Sequence, residues 1–146
     1  MDKVLGYIDY GKKNATLVAG GTRGSDKGWF VRPTVFANVK DDHRIANEEI
    51  FGPVQSILKF DDTDEVIHRA NKSNYGLAAG VVTDSLKEAK YYSKKLRAGT
   101  VFVNCHHKIS TTSPFGGFKD SGIGRELGEE GINLYLESKT VIENLD

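Results

Sequence analysis

The chain has 146 residues, 38% hydrophobic and 27% charged, a size and balance that fit one globular domain and exclude a disordered or fibrous chain. Twenty lysines and arginines against twenty aspartates and glutamates give a formal net charge of zero, which speaks against a dedicated nucleic-acid binder, where a basic excess is usual. No apolar run reaches the roughly 18 residues of a membrane span. Residues 1–21 lack the apolar middle of a signal peptide, and the single cysteine leaves no internal disulfide, so a reducing, cytoplasmic setting is the default, with a mitochondrial one left open.

In chain order, "DKVLGYIDYGKK" spaces Val4, Tyr7 and Ile8 for one helix face, and Gly11 weakens its end. "ATLVAGG" reads as a short strand stopped by Gly20 and Gly21, followed by the polar loop "TRGSDKG". "WFVRPTVFANV" is β-rich, with Pro33 marking an edge or a strand start. "HRIANEEI" forms helical turns that "FGP" breaks, because Pro53 forces its neighbour out of the helical region. "VQSILKF" is a strand. "DTDEVIHRANKS" is a helix with acidic residues in its first turn, where the dipole favours them. "GLAAGVVT" is a strand. "DSLKEAKYYSKKLRAG" is a helix with Asp84 expected as N-cap and Gly99 as its stop, and "TVFVNC" is a strand. "SPFGGFKDSGIGREL" is a glycine-dense loop, "GEEGINLYLES" a helix and "KTVIENL" a closing strand.

Strand, helix, strand, helix, strand over residues 54–104 is a βαβαβ pattern. It predicts an α/β fold with parallel strands and helices on both faces, a three-layer parallel sheet. The closing strand has no hairpin mate nearby, which predicts pairing with another chain or domain.

Four places carry chemistry of interest. Cys105 stands before His106 and His107. A reactive thiol needs a cation, a base or a helix N-terminus to lower its pKa, but adjacent strand residues face opposite ways, and a free cysteine is among the most buried residue types. The expectation is a buried, structural Cys105. Its spacing to the two histidines does not suit a tetrahedral metal site, so no metal is expected. "GIGRELG" has glycines at the wrong spacing for a dinucleotide fingerprint, which leaves a loop ending at a helix start. "NEEIFGPV" sets two carboxylates beside an aromatic and a Gly-Pro turn. That combination suits ribose hydroxyls and a planar ring, but also an acidic helix end with Phe51 as a core anchor. "SPFGGFKDSG" places two phenylalanines in a glycine loop, either lining an apolar pocket or pinning the loop.

Together the segments "GWFVRPTVFANV", "IANEEIFGPVQSILKF", "ANKSNYGLAAGVVT", "LRAGTVFVNC", "SPFGGFKDSGIGRELGEEG" and "KTVIENL" resemble the aldehyde dehydrogenase superfamily, in its order and spacing, over essentially the whole chain. The resemblance implies a much longer NAD- or NADP-dependent enzyme that oxidises an aldehyde to a carboxylic acid. In that chemistry a cysteine thiolate attacks the carbonyl, hydride leaves to the nicotinamide, and a glutamate-activated water releases the acid. The family's "GQxC"-type nucleophile and "ELGGK"-type base have no counterpart here, so the resemblance implies the C-terminal part of the catalytic domain (residues 1–136) followed by a closing segment with the oligomerisation strand (residues 137–146). It aligns Glu49 with the glutamate that binds the nicotinamide ribose, Phe51 with the aromatic beside the nicotinamide, and Lys3 with a lysine near the adenosine. It places Ile109 and Phe115 at the aldehyde tunnel and Glu126 at a proton relay near the nucleophile. The implied partners are the aldehyde and either a homo-oligomer or a complementing N-terminal part, with no nucleic acid and no membrane.

Two other functional classes remain open at this point. The closing strand fits a non-enzymatic module that pairs with full-length relatives. A small cysteine hydrolase built on Cys105 and a histidine requires an activated thiolate.

Overall fold

The computed structural model describes residues 1–145. The chain divides into two compact units, Met1–Arg69 and Ala70–Asp146.

In the first unit, α1 (Asp2–Asn14) buries Val4, Tyr7, Ile8 and Gly11 on one face. Asp2 in its first turn and Lys12 and Lys13 in its last complement the helix dipole. Gly11 does not weaken the helix as expected. A Cβ there would lie 2.5 Å from the Phe36 ring, so the glycine lets α1 settle onto its sheet. The helix stops at Ala15, whose backbone turns extended.

β1 (Thr16–Ala19) pairs antiparallel with β2 (Thr34–Ala37), with a bulge between Leu17 and Ala19. β2 pairs parallel with β3 (Val54–Ser56). β2 starts straight after Pro33 and buries alternate residues, Thr34 and Phe36, as a strand with one covered face should. The buried Thr34 hydroxyl donates to Arg32 O and accepts from Gly21 N–H. The core comprises Val4, Tyr7, Ile8, Phe36, Val39, Ile45 and Ile50. α2 (Arg44–Asn47) supplies Ile45. α3 (Thr63–Asn71) begins under a cap, Glu65 N–H donating to Asp62 Oδ1 at 2.8 Å. Arg69, near its end, binds Asp41 and Glu65. Trp29 and Phe30, expected in a strand, are instead exposed in a loop closed by the Arg23–Val31 bridge.

In the second unit, β4 (Tyr75–Gly76) is followed by β5 (Ala78–Val81), α4 (Leu86–Lys95) and β6 (Thr100–Val103). β5 and β6 pair parallel around α4, which is one βαβ unit. Asp84 is not the cap of α4. Ser85 is, one residue on, and its hydroxyl accepts from Glu88 N–H. Asn104 closes the strand ends by exchanging two hydrogen bonds with the Thr83 backbone. β4 pairs antiparallel with β7 (Phe118–Lys119), a pairing that the glycine-dense loop gave no reason to expect. Lys119 Nζ donates to the carbonyls of Asn71, the last residue of α3, and of Ser73 just beyond it. α5 (Gly128–Asn133) is only six residues long, about half the helix expected from 128–138.

The alternation is α/β as expected, but the strands make a three-stranded sheet and two two-stranded ones. β3 pairs with β2 in the first unit, and β5 with β6 in the second. Residues 139–145 form no strand. A strand needs a hydrogen-bonding neighbour, and none is present for them among the described residues. Asp146, the end of that expected segment, lies outside the described residues. No helix among the described residues is long and apolar enough to cross a membrane.

Candidate functional site

The two carboxylates of "NEEI" have different surroundings. Glu48 caps the C-terminus of α2, its N–H bonding Arg44 O. Its carboxylate takes a bidentate pair from Arg44, Nε to Oε1 and Nη2 to Oε2 at 2.9 Å each. Tyr7 of α1 donates its hydroxyl to Oε2 at 2.7 Å. The Arg44 guanidinium and then the Tyr7 hydroxyl hold the Glu48 carboxyl down, from 4.5 to about 2, because both hydrogen bonds favour the charged form. In return the hydrogen bond to Glu48 raises the Tyr7 phenol and the Arg44 guanidinium above their ordinary values. Two cations stand near the Tyr7 ring, the Lys3 ammonium at 6.0 Å and the Arg44 guanidinium at 5.2 Å from its centre.

Glu49 is exposed, and its carboxylate has no hydrogen bond or ion pair among the described residues. Ile50 returns to the core. Phe51 does not anchor the core, as one reading expected. Its ring is 85% exposed, and its backbone sits at φ 54°, a region that bulky residues rarely occupy. Gly52 follows because a Cβ would meet the Val4 side chain at 2.8 Å. Pro53 O then accepts from Thr34 N–H. Lys3 stands one helical turn before Tyr7 on α1, so the first unit contains all three expected cofactor residues.

The second unit contains the expected tunnel residues. Phe115 and Glu126 form an antiparallel bridge, with N···O distances of 2.7 and 2.8 Å. They line an open cleft of about 230 Å³ together with Leu77, Ile123 and Leu134. Arg125 ties the two arms of the loop, donating from Nη1 to Gly117 O and Gly124 O while its guanidinium covers the Phe118 ring at 5.1 Å. Glu126 is thus placed beside Phe115 through the backbone. Ile109 is 56% exposed in the segment that leads into this loop.

The expectation for Cys105 is overturned. The thiol is exposed, because β6 ends at Val103 and the chain leaves the sheet. Nor do the histidines face opposite ways. Their rings stack at 4.1 Å, and His107 sits at φ 54°, so strand alternation does not apply. His106 also packs edge-on against Phe102. Among the described residues, no group of three His, Cys, Asp or Glu side chains could hold a metal ion.

The residues that sequence reasoning missed are Tyr7, Arg44 and Arg125. Arg44 and Glu48 had a signal, since residues four apart on a helix pair readily. Tyr7 lies 41 residues from Glu48 and had none.

The sequence profile described as the aldehyde dehydrogenase family matches residues 1–141. Aldehyde dehydrogenase 1A1 of Mesocricetus auratus is 60% identical over 141 residues, which is 96% of this chain and 28% of that protein. A mitochondrial protein of Arabidopsis thaliana, aldehyde dehydrogenase family 2 member B4, is 56% identical over 146 residues, 99% of this chain and 27% of its own length. Among solved structures, the NAD+ complex of aldehyde dehydrogenase from Bacillus cereus superposes with a TM-score of 0.96 at 53% identity, over 99% of this chain and 30% of that one. The chain therefore spans less than a third of the length of the relatives it matches.

Proposed function

Because the chain belongs to the aldehyde dehydrogenase family, we propose that it is the C-terminal part of the catalytic domain of an NAD- or NADP-dependent enzyme oxidising an aldehyde to a carboxylic acid. In this reading residues 1–136 complete a three-layer parallel sheet with the rest of such an enzyme, and residues 137–146 carry the oligomerisation strand. The observation that carries the reading is the Glu49–Phe51 turn, a free carboxylate next to a strained, bare aromatic ring.

The chemistry of this turn fits a dinucleotide. The Glu49 carboxylate can accept both hydroxyls of a ribose, and the Phe51 ring can cover one face of a planar base. Lys3 supplies positive charge on the same unit, toward the adenosine. When bound, the dinucleotide provides the hydride acceptor. Phe115 and Ile109 shape the aldehyde tunnel, and Glu126 relays protons near the nucleophile. We assign the nucleophile and general base to other parts of the enzyme; Cys105 is an exposed thiol just past the end of β6. The isolated chain then does not turn over, and its setting is cytoplasmic or, as for the Arabidopsis relative, mitochondrial.

The test is Glu49→Gln in the complete enzyme. A rise of roughly tenfold in the KM for the dinucleotide is expected, the scale of a lost charged hydrogen bond, with the aldehyde KM little changed. An unchanged dinucleotide KM would sink the assignment.

One observation favours a second reading, an interaction module. Val141, Ile142 and Leu145 are all strongly exposed in a segment with no strand partner, as an edge awaiting another sheet would be. If they pair, removing residues 139–146 shifts size-exclusion elution toward the monomer. An identical elution volume with and without them rules that pairing out.

A further inference from the structure

We propose that Tyr7, Arg44 and Glu48 form a positioning clamp that holds Glu49 and Phe51 in place for the nicotinamide-ribose end of the cofactor. The proposal rests on the assignment of Glu49 and Phe51 to the cofactor made above.

The turn from 48 to 53 is pinned at alternate residues. Glu48 is held by three hydrogen bonds from two helices. Ile50 is in the core, and Gly52 lies against Val4 of α1. The two residues between these pins, Glu49 and Phe51, are exposed, and the Glu49 carboxylate and the Phe51 ring, 85% exposed, are left clear of the core. Core packing accounts for the pins at Ile50 and Gly52. The pin at Glu48 is different, because its partners are polar and its residue is exposed. An exposed ion pair contributes little to stability by itself, so three converging hydrogen bonds at such a position are poorly explained by folding alone.

Their geometric consequence is local. Fixing Glu48 fixes the peptide that begins Glu49, one residue before the core anchor. Without that pin, the backbone before Glu49 would be held only by the Glu48 N–H bond to Arg44 O. A carboxylate meant to meet two hydroxyls must already be aimed, because ordering it on binding would cost affinity. Arg44 serves twice, chelating Glu48 and lying over the rings of Tyr7 at 5.2 Å and Tyr10 at 5.6 Å. The clamp thereby takes its orientation from α1, which also carries Lys3.

The complete enzyme carrying Tyr7→Phe, Glu48→Gln, both changes, or Glu49→Gln as reference tests this by calorimetric titration with NAD+ and with AMP, alongside thermal unfolding. Tyr7→Phe keeps the ring and both cation contacts and removes only the hydroxyl. Each clamp variant is expected to weaken NAD+ about fivefold or more, part of the worth of a hydrogen bond to a charged group. The double variant should be no weaker than the worse single one, since the residues act as a unit. AMP, which lacks the nicotinamide ribose, should bind every variant as it binds the parent, which a merely structural role would not allow. If Glu49→Gln loses NAD+ affinity while the clamp variants keep it, the clamp is refuted and the cofactor assignment stands. If Glu49→Gln binds NAD+ normally, the assignment falls and takes the clamp with it. A joint loss of NAD+ and AMP affinity with a lowered unfolding temperature also refutes the clamp.

Discussion

The turn at residues 48–53 and the loop at residues 113–128 both present candidate site residues, and they are built in different ways. The first is anchored by side chains. Ile50 sits in a core with Val4, Tyr7, Ile8, Phe36, Val39 and Ile45, and Glu48 is clamped by Tyr7 and Arg44. The second is anchored by backbone, through the Phe115–Glu126 bridge, the β4–β7 pair and Arg125 binding two carbonyls. Its unit has a thin apolar core, with Val81, Ala89 and Phe102 as its buried hydrophobic residues among those described. Side-chain anchoring transmits every core substitution to the site, whereas backbone anchoring tolerates side-chain change but depends on glycine and loop geometry.

The largest effect expected from this contrast is on the cores. Phe36 is 0% exposed and meets α1 at Gly11, so Phe36→Ala should cost about 3–5 kcal/mol in chemical denaturation. Phe102→Ala should cost less, about 3 kcal/mol or under, because fewer buried side chains close around it and the site can collapse. Equal costs for the two would erase the difference between the units.

A smaller effect separates the anchors by pH. Glu48, facing Arg44, Tyr7 and Lys3, has its folded pKa depressed from 4.5 to about 2. The stability it contributes is therefore fully present above 4.5 and is lost as pH falls toward 2. Urea midpoints followed through that window should slope less in Glu48→Gln than in the parent. Parallel slopes would mean that the clamp carries no acid-sensitive stability. The Phe115–Glu126 bridge, made by backbone atoms, has no such window.

Much of this was legible in the residues. The spacing of Val4, Tyr7 and Ile8 predicts α1 and its buried face, Pro33 marks an edge or a strand start, of which β2 takes the second, and the acidic first turn places α3. Each of these is a local property, set by periodicity or by a fixed φ. The family motifs placed Glu49 and Phe51 together in one turn, but their shared exposure is a structural finding. The misses share one cause. Asp84 and Ser85 are both good caps, and only the path of the chain into α4 decides between them. Gly11 resembles a stop until the Phe36 ring is opposite it. Cys105 has the composition of a buried residue, yet it is exposed because the sheet ends two residues earlier.

By itself, then, the sequence determined the α/β alternation, the buried face of α1 and the family, since each is written in short-range pattern or in motifs kept in order. Tertiary structure alone decided that β3 pairs with β2, that "FKDS" returns to β4, and that Tyr7 reaches Glu48 rather than Glu49. Those are contacts between residues far apart in the chain, and no local period encodes them. The Tyr7–Glu48 contact forms because burying Phe36 and Ile50 with the face of α1 brings the helix and the turn together, and the hydrogen bond then forms between the groups left facing each other.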